Sequence, residues 1–202
     1  ANGDALWYIN AEGSKRQTTN DYSEANFVKI GDPNPDFIGG ISNSFSYQGI
    51  SLDFSFQGVF GNELYLDGDR FMACQGCWYD NQTTDQLNHW DKPGDITDVP
   101  EPRFWYSNGE QARNGRYISD GSYLRLKSLI LGYELPKTVL RTLNLDRLKV
   151  YLTGQNLLTF TKYKGWDPEV TSDTYTTKYV SGIDFYSAPQ PKTVAIGVQV
   201  GF

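Results

Sequence analysis

The last ten residues of the chain, 193–202, alternate without a break between apolar side chains and small or polar ones. The apolar positions are Val194, Ile196, Val198, Val200 and Phe202. A period of two predicts a β-strand with one apolar face, because successive side chains of a strand point to opposite sides. About ten residues is also the length that a tilted strand needs to cross a membrane.

The same alternation recurs along the chain and predicts an all-β fold. The five expected strands cover about 37–47, 50–66, 118–134, 147–161 and 192–202. Gln48-Gly49 separates the first two and suits a tight turn, so residues 37–66 are predicted to form one hairpin. In the third strand the apolar side chains change face near Ser128, which a β-bulge explains.

The connections between these strands are unequal in length. Gln48-Gly49 and 136–146 are short, the latter with one helical turn, whereas 67–116 and 163–188 are long, polar and rich in aromatics. Short connections at one end of a sheet and long ones at the other are typical of outer-membrane barrels. Five strands cannot close such a barrel, which needs about eight. The chain is therefore part of a larger barrel, or it is not a membrane protein.

Composition excludes several classes of function. A net charge of -6 argues against a nucleic-acid partner. No apolar run is long enough for a membrane-spanning helix, while a mean hydropathy of -0.52 still permits a barrel because only alternate residues face lipid. With one histidine and scattered carboxylates, we expect no enzymatic activity and no cofactor. The first residues show no targeting signal, so we expect that one was removed or that the chain begins within a longer protein.

Gly, Trp and Asp surround Cys74 and Cys77, which predicts a loop rather than the start of a helix. This setting favours a local disulfide in an oxidising compartment over an unpaired structural role, and both over catalysis. We expect no metal site, because His89 is the only nearby histidine and a metal needs about four ligands.

Several segments resemble the SusC/RagA-type TonB-dependent outer-membrane transporters. Residues 121–136, GSYLRLKSLILGYELP, are similar to a signature near the end of these proteins. Supporting segments are GDPNPDF at 31–37, FQGVFGN at 56–62, YLTGQNLLT at 151–159 and GWDPE at 165–169. They occur in the family's order across nearly the whole chain.

The resemblance implies the last five antiparallel strands of a 22-stranded transmembrane β-barrel plugged by an N-terminal domain. It places the chain in the outer membrane of a Gram-negative bacterium with a periplasmic C-terminus. The expected segments are an extracellular loop region at 1–36, a barrel hairpin at 37–66, a long extracellular loop at 67–116, a strand pair with a short periplasmic turn at 117–162, an extracellular loop at 163–188 and the barrel-closing strand at 189–202.

The resemblance also implies a function in nutrient uptake. Such a transporter imports oligosaccharides or peptides, takes energy from a TonB complex through the plug, contacts outer-membrane lipids and works with a SusD-like surface lipoprotein. Two alternatives are a soluble β-sandwich that binds glycans and a non-energised porin-like barrel.

Many relatives carry a calcium-loop-like stretch near the start. Residues 8–16 keep too few carboxylates for it, so we expect no calcium there.

Three sets of residues are candidate functional elements. The ligand-contact candidates are the loop aromatics Trp78, Tyr79, Trp90, Trp105, Tyr106 and Trp166, with Phe104 beside them and Tyr175 and Tyr179 in the second loop. Their rings can stack on sugars or pack on peptides, although packing within the loops is the commoner role for any one ring. The final strand, ending at Phe202, resembles the signal read by the barrel-assembly machinery, the alternative being an ordinary terminal aromatic. Four cationic side chains are expected to face the lumen, as solvation or plug contacts: Arg125, Lys127, Arg147 and Lys149.

Overall fold

A computed structural model describes residues 2–9, 17–105, 108–110, 112–169 and 181–202. Its strands and helices are β1 (Trp7–Tyr8), β2 (Thr18–Thr19), β3 (Phe37–Tyr47), β4 (Ile50–Phe60), β5 (Glu63–Leu66), α1 (Asp69–Met72), β6 (Ile118–Asp120), β7 (Tyr123–Glu134), α2 (Lys137–Leu143), β8 (Arg147–Thr161), β9 (Ile183–Asp184) and β10 (Thr193–Gly201). Short 3₁₀ turns lie at Tyr22–Glu24, Thr84–Asn88 and Gly115–Tyr117.

The chain divides into two compact units. The sheet unit contains the described residues of 34–63, 120–170 and 187–202, and the loop unit contains those of 1–33, 64–119 and 171–186. Among the described residues no helix is both long and apolar enough to cross a membrane.

The sheet unit is one five-stranded antiparallel sheet in the order β10-β8-β7-β4-β3. Its long strands lie where alternation predicted them. Side chains paired across the strands form rows that alternate in character. One row is wholly apolar and runs Phe45, Leu52, Leu131, Leu152 and Ile196, whereas the next is mixed, with polar and smaller side chains, and runs Ser44, Asp53, Ile130, Thr153 and Ala195. One face of the sheet is therefore apolar, and most of its large side chains are exposed, Ile196 by 77%.

The predicted bulge is present in β7. Phe56 and Ser55 of β4 pair with Leu126 and Ser128, so Lys127 is the extra residue. An inserted residue reverses which side chains share a face. Leu126 before the bulge and Leu131 after it consequently both belong to the apolar face.

Two strands are shorter than alternation suggested. The strand expected to continue to residue 66 ends at Phe60, because Gly61 takes a positive φ of 85° that turns the chain. The following β5 instead pairs in parallel with β9 within a small sheet of order β6-β5-β9. The strand expected from residue 118 is interrupted before Tyr123, where the Asp120 carboxylate accepts a hydrogen bond from the Ser122 amide.

The short connections are compact turns. Gln48 and Gly49 have φ of 47° and 85°, and two positive values mark the type I′ turn that matches strand twist. The β7–β8 connection contains α2, which ends at Asn144 in the left-handed conformation. The Asp146 amide donates to the Gly201 carbonyl at 2.9 Å, so the end of β10 lies beside this second short connection.

Candidate functional site

The loop unit carries a cluster of exposed aromatic rings, here called the aromatic quartet: Trp78, Tyr79, Phe104 and Trp105. Trp105 is its centre, with ring centroids 5.5 Å from Trp78, 4.7 Å from Tyr79 and 5.4 Å from Phe104. Each of these contacts is edge-to-face, the arrangement that aromatic quadrupoles favour. Trp105 also has a positive φ of 61°, which is rare for a bulky residue and marks a conformation held by its surroundings.

The quartet has two arms, Trp78-Tyr79 and Phe104-Trp105, and a disulfide ring connects them. Cys74 and Cys77 are bonded with an S–S distance of 2.03 Å, and both are buried. Trp78 follows this ring directly in the chain. Inside the ring, the Gln75 carbonyl accepts a hydrogen bond of 3.1 Å from the Arg103 amide, which immediately precedes Phe104. The ring therefore sets the spacing between the 78–79 arm and the 104–105 arm.

The buried side chain of Gln75 holds the disulfide ring in place through hydrogen bonds. It is 3% exposed, and its amide donates to the Ala73 carbonyl at 2.6 Å and to the Gln86 side-chain oxygen at 2.7 Å. Gln82 adds a hydrogen bond of 3.1 Å to the Phe71 carbonyl. Buried amides with several partners hold a loop in one conformation because their loss would leave polar groups unsatisfied.

An ionic clamp holds the base of the second arm. The Arg103 guanidinium contacts the carboxylates of Asp4 and Glu101, with 2.5 Å to Glu101 Oε2. Burial alone would raise the pKa of Asp4, but hydrogen bonds from Asn20, Arg103 and Asn2 outweigh it and the pKa is lowered. The same carboxylates raise the pKa of Arg103. The clamp is therefore charged at neutral pH.

The aromatic candidates outside the quartet include Trp90 and Trp166. Trp90 is half-buried and packs against Gly3, where a Cβ would come within 2.5 Å of its ring, so it has a packing role. Trp166 belongs to the sheet unit and is 71% exposed. Tyr106, Tyr175 and Tyr179 lie outside the described residues. A role of any of these rings in ligand binding stays a prediction.

In the sheet unit, a buried ionic cluster anchors the loop that carries Trp166. Arg125 Nη2 lies 2.5 Å from Asp167 Oδ1 and Arg125 Nη1 lies 2.7 Å from Glu169 Oε2, while Lys127 Nζ reaches Glu169 at 2.8 Å. The Arg125 and Asp167 side chains are only 3% and 4% exposed. The expected cationic side chains of β7 thus have carboxylate partners within this chain.

Asp167 is the best-satisfied member of that cluster. Its Oδ1 also accepts from the Glu169 amide and its Oδ2 from the Gln190 amide, each at 2.9 Å. Burial pushes its pKa upwards, but the hydrogen bonds and the Arg125 charge outweigh burial and lower the pKa. Sequence reasoning missed this cluster because Arg125 and Asp167 are 42 residues apart. The only available signal was the charged GWDPE segment itself.

The final strand lies at one edge of the sheet. Its apolar side chains, Val194, Ile196, Val198 and Val200, are all exposed on the apolar face, and Phe202 follows the strand with 92% exposure. Whether they form an assembly signal stays a prediction.

Within the described ranges no group of three or more His, Cys, Asp or Glu side chains is placed to hold a metal ion. The stretch that we expected to lack calcium falls mostly outside those ranges.

Comparison with known proteins gives consistent matches, although no family model matches the chain. It is 35% identical over 176 residues to TonB-dependent receptor P3 of Formosa agariphila, covering 86% of this chain and 17% of the relative. Receptor P39 of the same organism is 30% identical over 175 residues, with the same coverage. Structures of the RagAB peptide importer match at 28% identity, with TM-scores of 0.77 in the open-open state and 0.79 in the closed-closed state. They cover 99% of this chain and 21% of the matched chain.

The antiparallel sheet with one exposed apolar face and these matches together define a β-barrel region of a TonB-dependent receptor, a class of outer-membrane protein. Within that class, the chain belongs to the SusC/RagA family. It spans about a fifth of the length of the relatives and structures that it matches.

Proposed function

We propose that this chain forms part of the barrel wall of a transporter that imports oligosaccharides or peptides across the outer membrane with a SusD-like surface lipoprotein. The observation that carries the proposal is the match of 99% of the chain, at a TM-score of 0.79, to a structure of the RagAB peptide importer. The relatives are receptors and transporters, which is in keeping with transport rather than enzymatic function.

The sheet has the dimensions of a membrane wall. The apolar face extends along β3 from Phe37 to Tyr47, with Asn43 as its one polar side chain in this strand, and eleven residues at about 3.3 Å each span roughly 36 Å along the strand. A tilt of about 45° reduces this to about 25 Å, the height of the apolar band of an outer-membrane barrel. Phe37 and Tyr47 also place aromatic rings at both limits of the band, where interfacial rings prefer to lie.

Within the described residues, the outer edges of β3 and β10 have no neighbouring strand. Within the described residues, β3 pairs only with β4 and β10 only with β8. In a bilayer the outer backbone groups of both strands would each cost several kcal/mol if unpaired. We therefore place this sheet in a closed barrel, which we take to be 22-stranded as in large plugged transporters.

The connections suggest the orientation. Gln48-Gly49 and the α2 connection lie at the same end of the sheet as the end of β10. Short connections of outer-membrane barrels face the periplasm. We infer a periplasmic C-terminus and extracellular connections at 67–116 and 163–188, which a captured ligand or the lipoprotein would contact.

An uptake assay on the intact receptor in its native cells tests the proposal. Cells with and without the receptor gene would be given matched panels of labelled oligosaccharides and labelled peptides. We expect receptor-dependent uptake of one panel that stops when an uncoupler removes the proton gradient. Uptake that survives the uncoupler would support the porin-like alternative, and no receptor-dependent uptake of either panel would refute the proposal.

A matched set of variants tests the aromatic quartet. Trp105→Ala removes its central ring and should weaken ligand binding by roughly tenfold, equivalent to about 1.4 kcal/mol. Trp90→Phe keeps a packed ring away from the quartet and should leave affinity within about twofold. Equal effects of both substitutions would show that the quartet is a packing element rather than a ligand surface.

A further inference from the structure

The loop unit contains three Asn-Gly pairs, at 2–3, 108–109 and 114–115. The asparagine of such a pair can lose its side-chain amide, because glycine has no Cβ to keep its nitrogen away from the preceding side chain. The reaction requires that the asparagine side chain bends over the following peptide, that the glycine N–H is free and that water reaches the site. The three pairs differ in these respects.

Asn2 meets all of these requirements. It is exposed, and its Oδ1 accepts a hydrogen bond of 3.3 Å from the Asp4 amide, which folds the side chain forward over the Gly3 peptide. Within the described residues the Gly3 N–H has no acceptor. Gly3 itself is fixed, because its carbonyl accepts from the Glu101 amide at 2.9 Å and the Trp90 ring packs against it. The attacking nitrogen therefore lies beside an accessible asparagine side chain.

Asn108 is held in a different direction. Its Oδ1 accepts from the Tyr22 amide at 3.2 Å, and its Nδ2 donates to the Asn20 carbonyl. Both bonds join the side chain to a segment more than 80 residues away, at separations of 86 and 88 positions. They hold its Cγ by contacts to residues 20–22 rather than over its own following peptide, so we expect this asparagine to react slowly.

Asn114 bends over its own following peptide but is buried. Its Oδ1 accepts from the Arg116 amide at 2.9 Å, and the residue is only 7% exposed. Its Nδ2 donates to the carbonyls of Gly109 and Ala112, at 3.2 and 3.0 Å. Loss of that Nδ2 would leave these carbonyls without their donor, which costs free energy in a site that water does not reach. We expect this asparagine to be protected.

We propose that Asn2 is a deamidation site and that its conversion loosens the ionic clamp of Arg103. The Gly3 nitrogen attacks Asn2 Cγ, a new C–N bond forms, and Nδ2 leaves as ammonia with the proton of the Gly3 amide. Water then opens the resulting succinimide ring. The net change is the gain of one water and the loss of one ammonia, and the products are aspartate and isoaspartate at position 2.

A carboxylate at position 2 is unfavourable beside the clamp. In the unmodified chain Asn2 Nδ2 donates to Asp4 Oδ2 at 2.5 Å, and the Asn2 carbonyl accepts from the Arg103 guanidinium. After deamidation a carboxylate replaces the donating amide group, and like charges at this separation repel. Arg103 would then face three carboxylates, where it now pairs with those of Asp4 and Glu101. We expect Arg103 and the 104–105 arm of the quartet to be held less firmly.

Peptide mass spectrometry of the intact receptor, incubated at mildly alkaline pH in water enriched in oxygen-18, measures deamidation at each pair. The incorporated oxygen marks hydrolysis that occurs during the incubation. We expect Asn2 to deamidate at least about tenfold faster than Asn108 and Asn114. In receptor unfolded by denaturant the three rates should converge, because the structural differences between the pairs are then absent. Equal rates in the folded receptor would overturn the assignment of Asn2.

Two variants test the effect on the clamp. Asn2→Asp places the charge of the product at position 2, and Asn2→Ser removes the amide without adding charge. The measurement is hydrogen exchange of the Arg103 amide, which donates to the Gln75 carbonyl at 3.1 Å. We expect exchange to accelerate about threefold or more in Asn2→Asp and less than about twofold in Asn2→Ser. Equal exchange in the two variants would overturn the proposed loosening. Neither measurement depends on transport, so the outcome is separate from that of the uptake assay.

Discussion

Replacing Asp167 by asparagine should release the loop that carries Trp166, although the two side chains have nearly the same shape. Asp167 accepts three N–H groups, from Arg125 and the Glu169 amide on one oxygen and from the Gln190 amide on the other. An amide side chain has only one acceptor oxygen. If that oxygen faces Arg125, the asparagine NH₂ group meets the Gln190 N–H and leaves it unsatisfied.

The expected magnitude follows from burial. Breaking a buried ion pair by removing one partner typically costs about 3–5 kcal/mol. Glu169 remains bound to Arg125, so we expect the lower end, about 3 kcal/mol, which corresponds to roughly a hundredfold change in an equilibrium constant. The change should appear in local opening of the loop, with the strands of the sheet largely unaffected.

Amide hydrogen exchange of the intact receptor, read by mass spectrometry on peptides covering Gln190, measures that opening. We expect exchange there to accelerate roughly a hundredfold in Asp167→Asn. The matched control is Asp32→Asn, which removes an exposed partner of Lys29 and should change stability by less than about 1 kcal/mol. Unchanged exchange at Gln190 would refute the assignment of Asp167 as the loop anchor.

The same anchor should respond to acid. The pKa of Asp167 in the folded protein is below its unfolded value of about 3.8. The stabilisation is therefore present above that unfolded value and is lost as pH falls through the lower, folded pKa. Protection of Gln190, corrected for intrinsic exchange, should decrease in that acidic range in the wild type and show no such transition in Asp167→Asn.

Three further predictions concern single features. Gly49→Ala should destabilise the β3–β4 hairpin by about 1 kcal/mol or more, measured by denaturant unfolding, because Gly49 has a φ of 85° and a Cβ would lie 2.6 Å from the Glu134 carbonyl oxygen; unchanged stability would contradict the turn geometry. Burial raises the pKa of Tyr117 to about 12, so its stabilising effect is present below the unfolded value of about 10 and lost as pH rises through 12; the amplitude of the late phase of an alkaline absorbance titration should decrease by one tyrosine in Tyr117→Phe. Replacing Cys74 and Cys77 by serine should weaken the near-ultraviolet circular dichroism of the aromatic quartet without altering the far-ultraviolet strand signal, and an unchanged near-ultraviolet spectrum would show that the disulfide ring does not position the rings.

Most of the sheet was predictable because its strands carry period-two alternation along their length. Even the Lys127 bulge left a signature, since one inserted residue changes which leucines share a face. The sequence carries no comparable signal for the end of β4. Leu64 and Leu66 continue the alternation beyond Gly61, and only the backbone conformation at that glycine reveals that β5 belongs to another sheet.

The candidate sites were less predictable because their parts lie far apart in the chain. Composition identified Trp78, Tyr79 and Trp105 as loop aromatics, but their contact depends on the hydrogen bond between Gln75 and Arg103. Trp166 has the same composition signal and lies in a different unit. Long-range pairing also hid the Arg125–Asp167 anchor, since nothing in either segment specifies its partner.

The placement of this sheet in a membrane wall is tested most directly by spin labels on two adjacent rows. Cysteines would be introduced singly at Leu152 and Ile196 on the apolar face and at Thr153 and Ala195 on the polar face of the intact receptor in lipid bilayers. We expect labels at 152 and 196 to collide preferentially with dissolved oxygen, and those at 153 and 195 preferentially with a water-soluble paramagnetic reagent. Equal access of the water-soluble reagent to both rows would contradict it.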